Sequence, residues 1–253
     1  MHLVLLRLSA LGDVLRVLPA WANLHQAFSQ ARLQAVVEDR HAFLLEPFPW
    51  LEPVTVARRQ LSNPFSAHAE FRRVAQAVRG AEASLDFHGI LKSALVPWFA
   101  DIPQRWGDGV TREGAALLQT HAVPFRRQSR YAQALGLAEA FGRSRGREGL
   151  GLFHAPLKHA TLPDPGPVWD EDGRKRVVLV PGASRRGAIK RWPLSHWMRL
   201  VESLKASHQL RWSLGPEEKA LRQWLPEATG VPALPSMPFW ELAHALRQAQ
   251  VVV

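Results

Sequence analysis

A short aliphatic run, a loop of small residues and an amphipathic helix follow one another at the start of the chain. Leu3 to Leu8 is rich in Leu and Val and reads as a buried strand. Ser9 to Gly12 reads as a tight loop. Val14, Val17, Leu18, Trp21, Leu24 and Phe28 then recur at helical spacing and make one apolar face. Asp13 stands at the junction, and in open α/β sheets ligands sit beyond the carboxyl ends of such strands. Asp13 therefore reads in two ways. It is an N-cap, whose carboxylate suits the positive helix end, or a general base at the mouth of a cleft. Gly12 suits both, since it lets the backbone turn and leaves space beside Asp13. The dinucleotide fingerprint G-x-G-x-x-G is missing here.

The same alternation continues. Leu33 to Glu38, Glu52 to Ala57 and Ala83 to Phe87 read as strands. Phe71, Val74, Ala75 and Val78 mark a helix, and Ser129 to Phe141 another. Strands alternating with helices predict a parallel sheet with right-handed crossovers. Asp86-Phe87-His88-Gly89 again puts polar groups and a glycine at a strand end. His88 reads as a strand-end hydrogen bond or a ligand group. Lys92, in a first helical turn, opposes the helix dipole unless it has another role. Gly142 to Gly151 reads as loop, and Leu162 to Gly173 as a Pro-rich linker.

The pattern then restarts with a strand at Arg176 to Val180, a loop Pro181-Gly182-Ala183-Ser184, and a helix bearing Trp197, Leu200, Val201 and Leu204. His208 to Leu214 reads as a strand that runs into Gly215-Pro216-Glu217-Glu218. The second loop reads as an ordinary βα connection or as a diphosphate site of backbone donors and cations. The domains expected are 1–160, a linker 161–175, and 176–253.

With 253 residues, 47% of them hydrophobic, the chain is long enough for two α/β domains. The absence of cysteine excludes disulfides, Cys-bound zinc and Cys nucleophiles. The N-terminus is too short for a signal-peptide core, and no apolar run approaches the ~20 residues of a spanning helix. The net charge of +10, mostly Arg, attracts anions such as nucleic acid, anionic lipid or phosphorylated substrates, or reflects an arginine-rich proteome. No basic helix, stacking motif or zinc finger favours nucleic acid.

Several stretches, in order, resemble glycosyltransferase family 9, the lipopolysaccharide heptosyltransferases. They are Ser9-x-Leu11-Gly12-Asp13-Val14 with Leu18-Pro19-Ala20, Asp86-x-x-Gly89-x-x-Lys92-Ser93-Ala94, Lys190-x-Trp192-Pro193 and Gly215-Pro216-Glu217-Glu218. Pro53-Val54-x-x-x-Arg58-Arg59 further resembles the heptosyltransferase I type. The resemblance implies two Rossmann-like domains of the glycosyltransferase B type facing across a cleft, the first for acceptor and the second for donor. It implies inverting, metal-independent transfer of heptose from ADP-heptose to an anionic lipopolysaccharide inner-core acceptor, with no further cofactor. It implies a cytoplasmic protein, peripheral on the inner face of the inner membrane.

Residue by residue, the resemblance makes Asp13 the general base. Ser184 and Lys190 would hold the donor diphosphate, Glu217 or Glu218 the ribose, with Gly12 beside the donor. Arg58, Arg59, His88, Lys92 and Arg112 would meet the acceptor's carboxylates and phosphates. Two departures stand out. Ala183-Ser184 replaces a threonine pair that is common in the family. The family also continues with Asp-x-Gly-x-x-His after the strand ending here at Val253, so the second domain is expected to be incomplete. The alternatives are a non-catalytic acceptor- or lipid-binding remnant of that fold, and the same fold using another nucleotide sugar.

Overall fold

The first apolar run forms β1 (His2–Leu6), buried from Leu3 onward. In the computed structural model, which describes residues 1–109, 113–124, 129–153, 161–183 and 191–253, β1 is an inner strand of a six-stranded parallel sheet. The other strands of the sheet are β2 (Arg32–Glu38), β3 (Leu51–Val56), β4 (Ala83–Asp86), β5 (Gln104–Asp108) and β6 (His121–Val123). The order is β3-β2-β1-β4-β5-β6, with Leu6 opposite both Val36 and Asp86. The chain builds outward from β1 through β2 to β3, then crosses to β4 on the other side. The carboxyl ends of β1 and β4 therefore flank the switch point, where a crevice opens in sheets of this kind.

Helix α1 (Leu11–Ala27) buries Val14, Val17, Leu18, Trp21 and Leu24, the face that the spacing predicts. It packs with α4 (Arg130–Ser144) on one side of the sheet. The other side carries α2 (Pro64–Ala77) and α3 (Leu91–Phe99). There Phe71, Val74 and Val78 meet Val4, Leu6, Val36 and Val54 in one core. Each fully buried aliphatic side chain contributes about 1.5–3 kcal/mol, so this packing, more than helix propensity, fixes α2.

Two boundaries differ from the sequence reading. The loop after β1 is Arg7–Ala10, and the helix begins at Leu11, so Gly12 lies inside its first turn. The N-cap is Ala10, which makes no side-chain capping bond; Asp13 sits three residues later and is not the cap. The sequence reading also missed β5, a mostly polar stretch, and the three-residue edge strand β6, both held by parallel pairing.

Residues Met1–Ala160 and Thr161–Val253 are separate compact units. The second holds a parallel sheet of β7 (Lys175–Leu179), β8 (His208–Trp212) and β9 (Val251–Val252), in the order β8-β7-β9. Alternation along β7 sends Val177 and Leu179 to one face, against Trp197 and Val201 of α5 (Leu194–Leu204) and Trp212. Val178 faces the other way, against Val168, Trp169, Leu234 and Ala245. Ala245 belongs to α7 (Phe239–Arg247), which follows α6 (Lys219–Thr229). The Pro-rich stretch thus contributes Val168 and Trp169 to the core of the second unit.

Candidate active site

At the switch point of the first sheet lies a cavity of about 210 Å³, lined by residues of the loop after β1, of α1, of β4 and the turn that follows it, of β5 and of α4. Arg7 follows β1 directly and is buried with its charge inside the protein. Its guanidinium spans the switch. Nη1 donates to the Phe87 carbonyl at 2.6 Å, and Nη2 lies 2.6 Å from Asp13 Oδ2. Arg16 Nη1, one turn further along α1, reaches Asp13 Oδ1 at 2.9 Å. The Asp13 side chain is 30% exposed, so solvent or a ligand can still reach it.

The electrostatics follow from these contacts. Partial burial pushes the Asp13 carboxyl up, but the Arg7 charge and the hydrogen bonds from Arg7 and Arg16 outweigh it and hold it below the usual carboxylate range. Burial likewise lowers Arg7, with Asp13 opposing that shift. Asp13 is thus a fixed anion throughout the neutral range.

Asp86, at the end of β4, is fully buried, and loss of hydration pushes its carboxyl up to about 6. Three donors pull the other way: the His88 N–H at 2.9 Å, the Gly89 N–H at 3.2 Å and Ser93 Oγ at 2.8 Å. This knot shapes the β4–α3 turn, in which Gly89 takes φ +69°, a region that favours glycine. His88 lines the cavity and is held neutral, its imidazole lowered to about 4 by burial and then by the Arg7 charge. Its Nδ1 is buried and has no hydrogen-bond partner among the described residues. Arg130, at the start of α4, and Asp108, at the end of β5, complete the polar lining.

The second unit carries another strand-end constellation. Glu218 closes a 3-10 turn, Pro216–Glu218, after β8 and is buried, while Glu217 beside it is exposed. Room for its carboxylate is made by two glycines. A Cβ on Gly182 would come within 2.7 Å of that carboxylate, and one on Gly215 within 2.8 Å. Arg191 Nη2 lies 3.7 Å from Glu218 Oε1 and donates to the Ala183 carbonyl at 2.6 Å. The loop after β7 and the turn after β8 are thereby tied together.

The structure brings Asp13 and His88 into one cavity. Arg58, Arg59 and Lys92 do not line it. Arg58 and Arg59 occupy a 3-10 turn after β3, where Arg58 Nη1 lies 3.6 Å from Glu38; Lys92 is exposed in the first turn of α3. Gly12 has open space around it. Ser184, Lys190 and Arg112 lie outside the described residues. The sequence reading missed Arg7, Arg16, Asp86, Arg130 and Arg191 as site residues. Arg7 left a signal, a charge set within an aliphatic run, and Asp86 another, a carboxylate at a strand end before a glycine. Among the described residues no group of three or more His, Cys, Asp or Glu could hold a metal ion.

Comparison with known proteins agrees with this architecture. Lipopolysaccharide heptosyltransferase 1 of Escherichia coli strain K12 is 28% identical over 276 residues, which cover 100% of this chain and 81% of the relative. The same protein from E. coli O18:K1:H7 is also 28% identical, with 79% of its length covered. The solved E. coli heptosyltransferase WaaC with ADP-2-deoxy-2-fluoro heptose superposes with a TM-score of 0.78 at 25% identity, over 100% of this chain and 82% of that one. The glycosyl transferase family 9 structure from Veillonella parvula gives a TM-score of 0.79 at 15% identity, over 99% and 74%, and shares the fold. Residues 71–253 match the family described as glycosyltransferase family 9 (heptosyltransferase). On that match, and with a parallel sheet in each of its two units, the chain belongs to glycosyltransferase family 9.

Proposed function

We propose that this protein transfers heptose from ADP-heptose to an anionic inner-core acceptor of lipopolysaccharide, inverting the anomeric centre, with Asp13 as general base. The first unit takes the acceptor and the second the donor. The observation that carries the reading is the Asp13 carboxylate, fixed by Arg7 and Arg16 yet open to a cavity at the switch point. WaaC was solved with ADP and with a fluorinated ADP-heptose, which supports the donor class.

The acceptor hydroxyl attacks the anomeric carbon and its proton passes to Asp13. The new carbon–oxygen bond forms as the bond to the diphosphate breaks, and the electron pair leaves with ADP. A carboxylate below its usual range is a weak base toward a resting alcohol. The alcohol becomes far more acidic as the new bond forms, so Asp13 takes the proton in concert with attack. Lys190 and Ser184 would hold the diphosphate and stabilise the leaving charge in place of a metal. Glu218 would accept from ribose hydroxyls. Neutral His88, with a free ring nitrogen, would bind a sugar hydroxyl, and Arg58, Arg59, Lys92 and Arg112 would meet acceptor anions.

Among the described residues no helix is long and apolar enough to cross a membrane. With a net charge of +10, the proposed location is the cytoplasmic membrane face, where such an acceptor is anchored. The test is incubation with ADP-heptose and a 3-deoxy-manno-octulosonate lipid acceptor, reading the new linkage by NMR. The expected product carries the anomeric configuration opposite to the donor. Retained configuration, or ADP binding without product, would overturn the proposal.

A further inference from the structure

We infer that the outer face of α2 and α3 docks on a bilayer of anionic phospholipid. The inference rests on the reading of the acceptor as membrane-borne and names the surface that would meet the membrane. Phe65, His68, Arg72 and Gln76 recur at three- and four-residue spacing along α2, and the helix-stripe rule puts them on one side; Arg79, just past the end of the helix, lines the same groove as Arg72. None is buried, and Phe65 is 87% exposed. On α3 the exposed residues are Leu91, Lys92 and Trp98, with Trp98 45% exposed, while Leu95 is half-buried against the core. The two stripes join at Phe99, whose ring meets His68 at 5.2 Å, the Arg72 guanidinium at 5.6 Å and Trp98 at 5.1 Å. An open groove of about 520 Å³ runs between Arg72, Arg79 and Trp98.

Single exposed apolar residues are ordinary on a protein surface. Here three features coincide on one face. Exposed aromatics stand beside guanidinium groups, the pairing that settles at the headgroup level of a membrane. The carboxylates nearby are already engaged. Glu70 is buried and paired with Arg73 at 2.7 Å, and Asp101 with Arg79 at 3.2 Å. Arg72 forms no ion pair among the described residues, so its charge is available to lipid phosphate. The N-terminal ends of α2 and α3 lie at the carboxyl-end side of the sheet, where Arg58, Arg59 and the switch-point cavity also lie. A membrane on this face would therefore reach the rim on which the acceptor is proposed to bind.

The probe is co-sedimentation of the purified chain with vesicles of phosphatidylcholine alone or mixed with phosphatidylglycerol. The expected result is binding to the mixed vesicles, weak binding to phosphatidylcholine, and release by high salt. The double variant Arg72→Glu, Trp98→Ser reverses one charge and removes one interfacial aromatic, and is expected to lower partitioning about tenfold or more. Phe65→Ser lowers it from the other end of the face. None of these residues belongs to the proposed site. Transfer to an acceptor stripped of its acyl chains should match the unsubstituted chain, which separates this inference from the transferase reading itself. Absence of binding, equal binding to both vesicles, or binding unchanged in both variants would overturn it. So would a salt-sensitive dimer that Phe65→Ser dissociates without any vesicle binding, since the face would then belong to a second copy of the chain.

Discussion

Arg7 Nη2 and Asp13 Oδ2 stand 2.6 Å apart, and through this contact the end of β1 is bound to the first turn of α1. The same guanidinium holds the Phe87 carbonyl at the end of β4. One buried cation thus fixes both sides of the switch point and sets the charge state of the residue proposed to move the proton.

Removing that cation should shift the pH dependence of catalysis. In Arg7→Gln the Asp13 carboxyl rises toward its ordinary range, because a major contribution holding it down is gone. A general base works only when deprotonated, so the acid limb of kcat/KM should move to higher pH. Breaking a fully buried pair costs roughly 3–5 kcal/mol. Asp13 is partly exposed and keeps Arg16, so about 2 kcal/mol is expected by thermal unfolding. An unmoved acid limb would mean that Asp13 is not the titrating group.

Asp86 and His88 should pull stability in opposite directions over one pH window. The folded Asp86 carboxyl is raised to about 6, so between about 4 and 6 the folded chain keeps a proton that the unfolded chain has lost. Stability from this group falls as pH rises, by about 3 kcal/mol for a two-unit shift. The folded His88 imidazole is lowered to about 4, so there the unfolded chain binds the extra proton and stability rises with pH. The two slopes largely cancel. Relative to the unsubstituted chain, Asp86→Asn should gain stability with rising pH between 4 and 6, and His88→Asn should lose it. Denaturant titrations across that range give both slopes.

Gly182→Ala and Gly215→Ala should weaken nucleotide binding with little loss of stability. Each new methyl would meet the Glu218 carboxylate at under 3 Å. That group is the free end of a flexible side chain, so it swings aside at small cost and leaves its place. Calorimetry with ADP should show about a tenfold weaker Kd, in line with about 1.4 kcal/mol for a lost charge-assisted hydrogen bond. An unchanged Kd would remove Glu218 from the proposed donor site.

Much of the frame was legible because burial leaves periodic marks. Leu3 to Leu6, the Val14-to-Leu24 stripe and the Val74–Val78 face all follow from apolar spacing. What escaped lacks such marks. β5, reading Gln-Arg-Trp-Gly-Asp, has one large apolar residue and forms through its pairing with β4. The end of a helix is also weakly encoded. Gly12 looks like a loop residue yet lies inside α1, which put Asp13 at the cap position when Ala10 occupies it. Site partners were hidden for a different reason. Arg7 and Asp13 are six residues apart, but Arg7 and Phe87 meet only because β1 and β4 are neighbours. Arg130 reaches the cavity from a helix more than a hundred residues away. Such meetings depend on strand order, which no local pattern carries.

The measurement that bears most directly on the account is kcat for Asp13→Asn beside calorimetric Kd for ADP. Asn keeps the shape of the side chain and an acceptor for Arg7, but it takes no proton. A fall in kcat of about 10²–10⁴ is expected with ADP affinity nearly unchanged, while stability drops by about 2 kcal/mol, as for Arg7→Gln, because buried Arg7 loses its counter-charge. A kcat within about threefold of the unsubstituted chain would contradict it, because general-base removal costs far more; Asp13 would then be a partner for Arg7 and nothing beyond that.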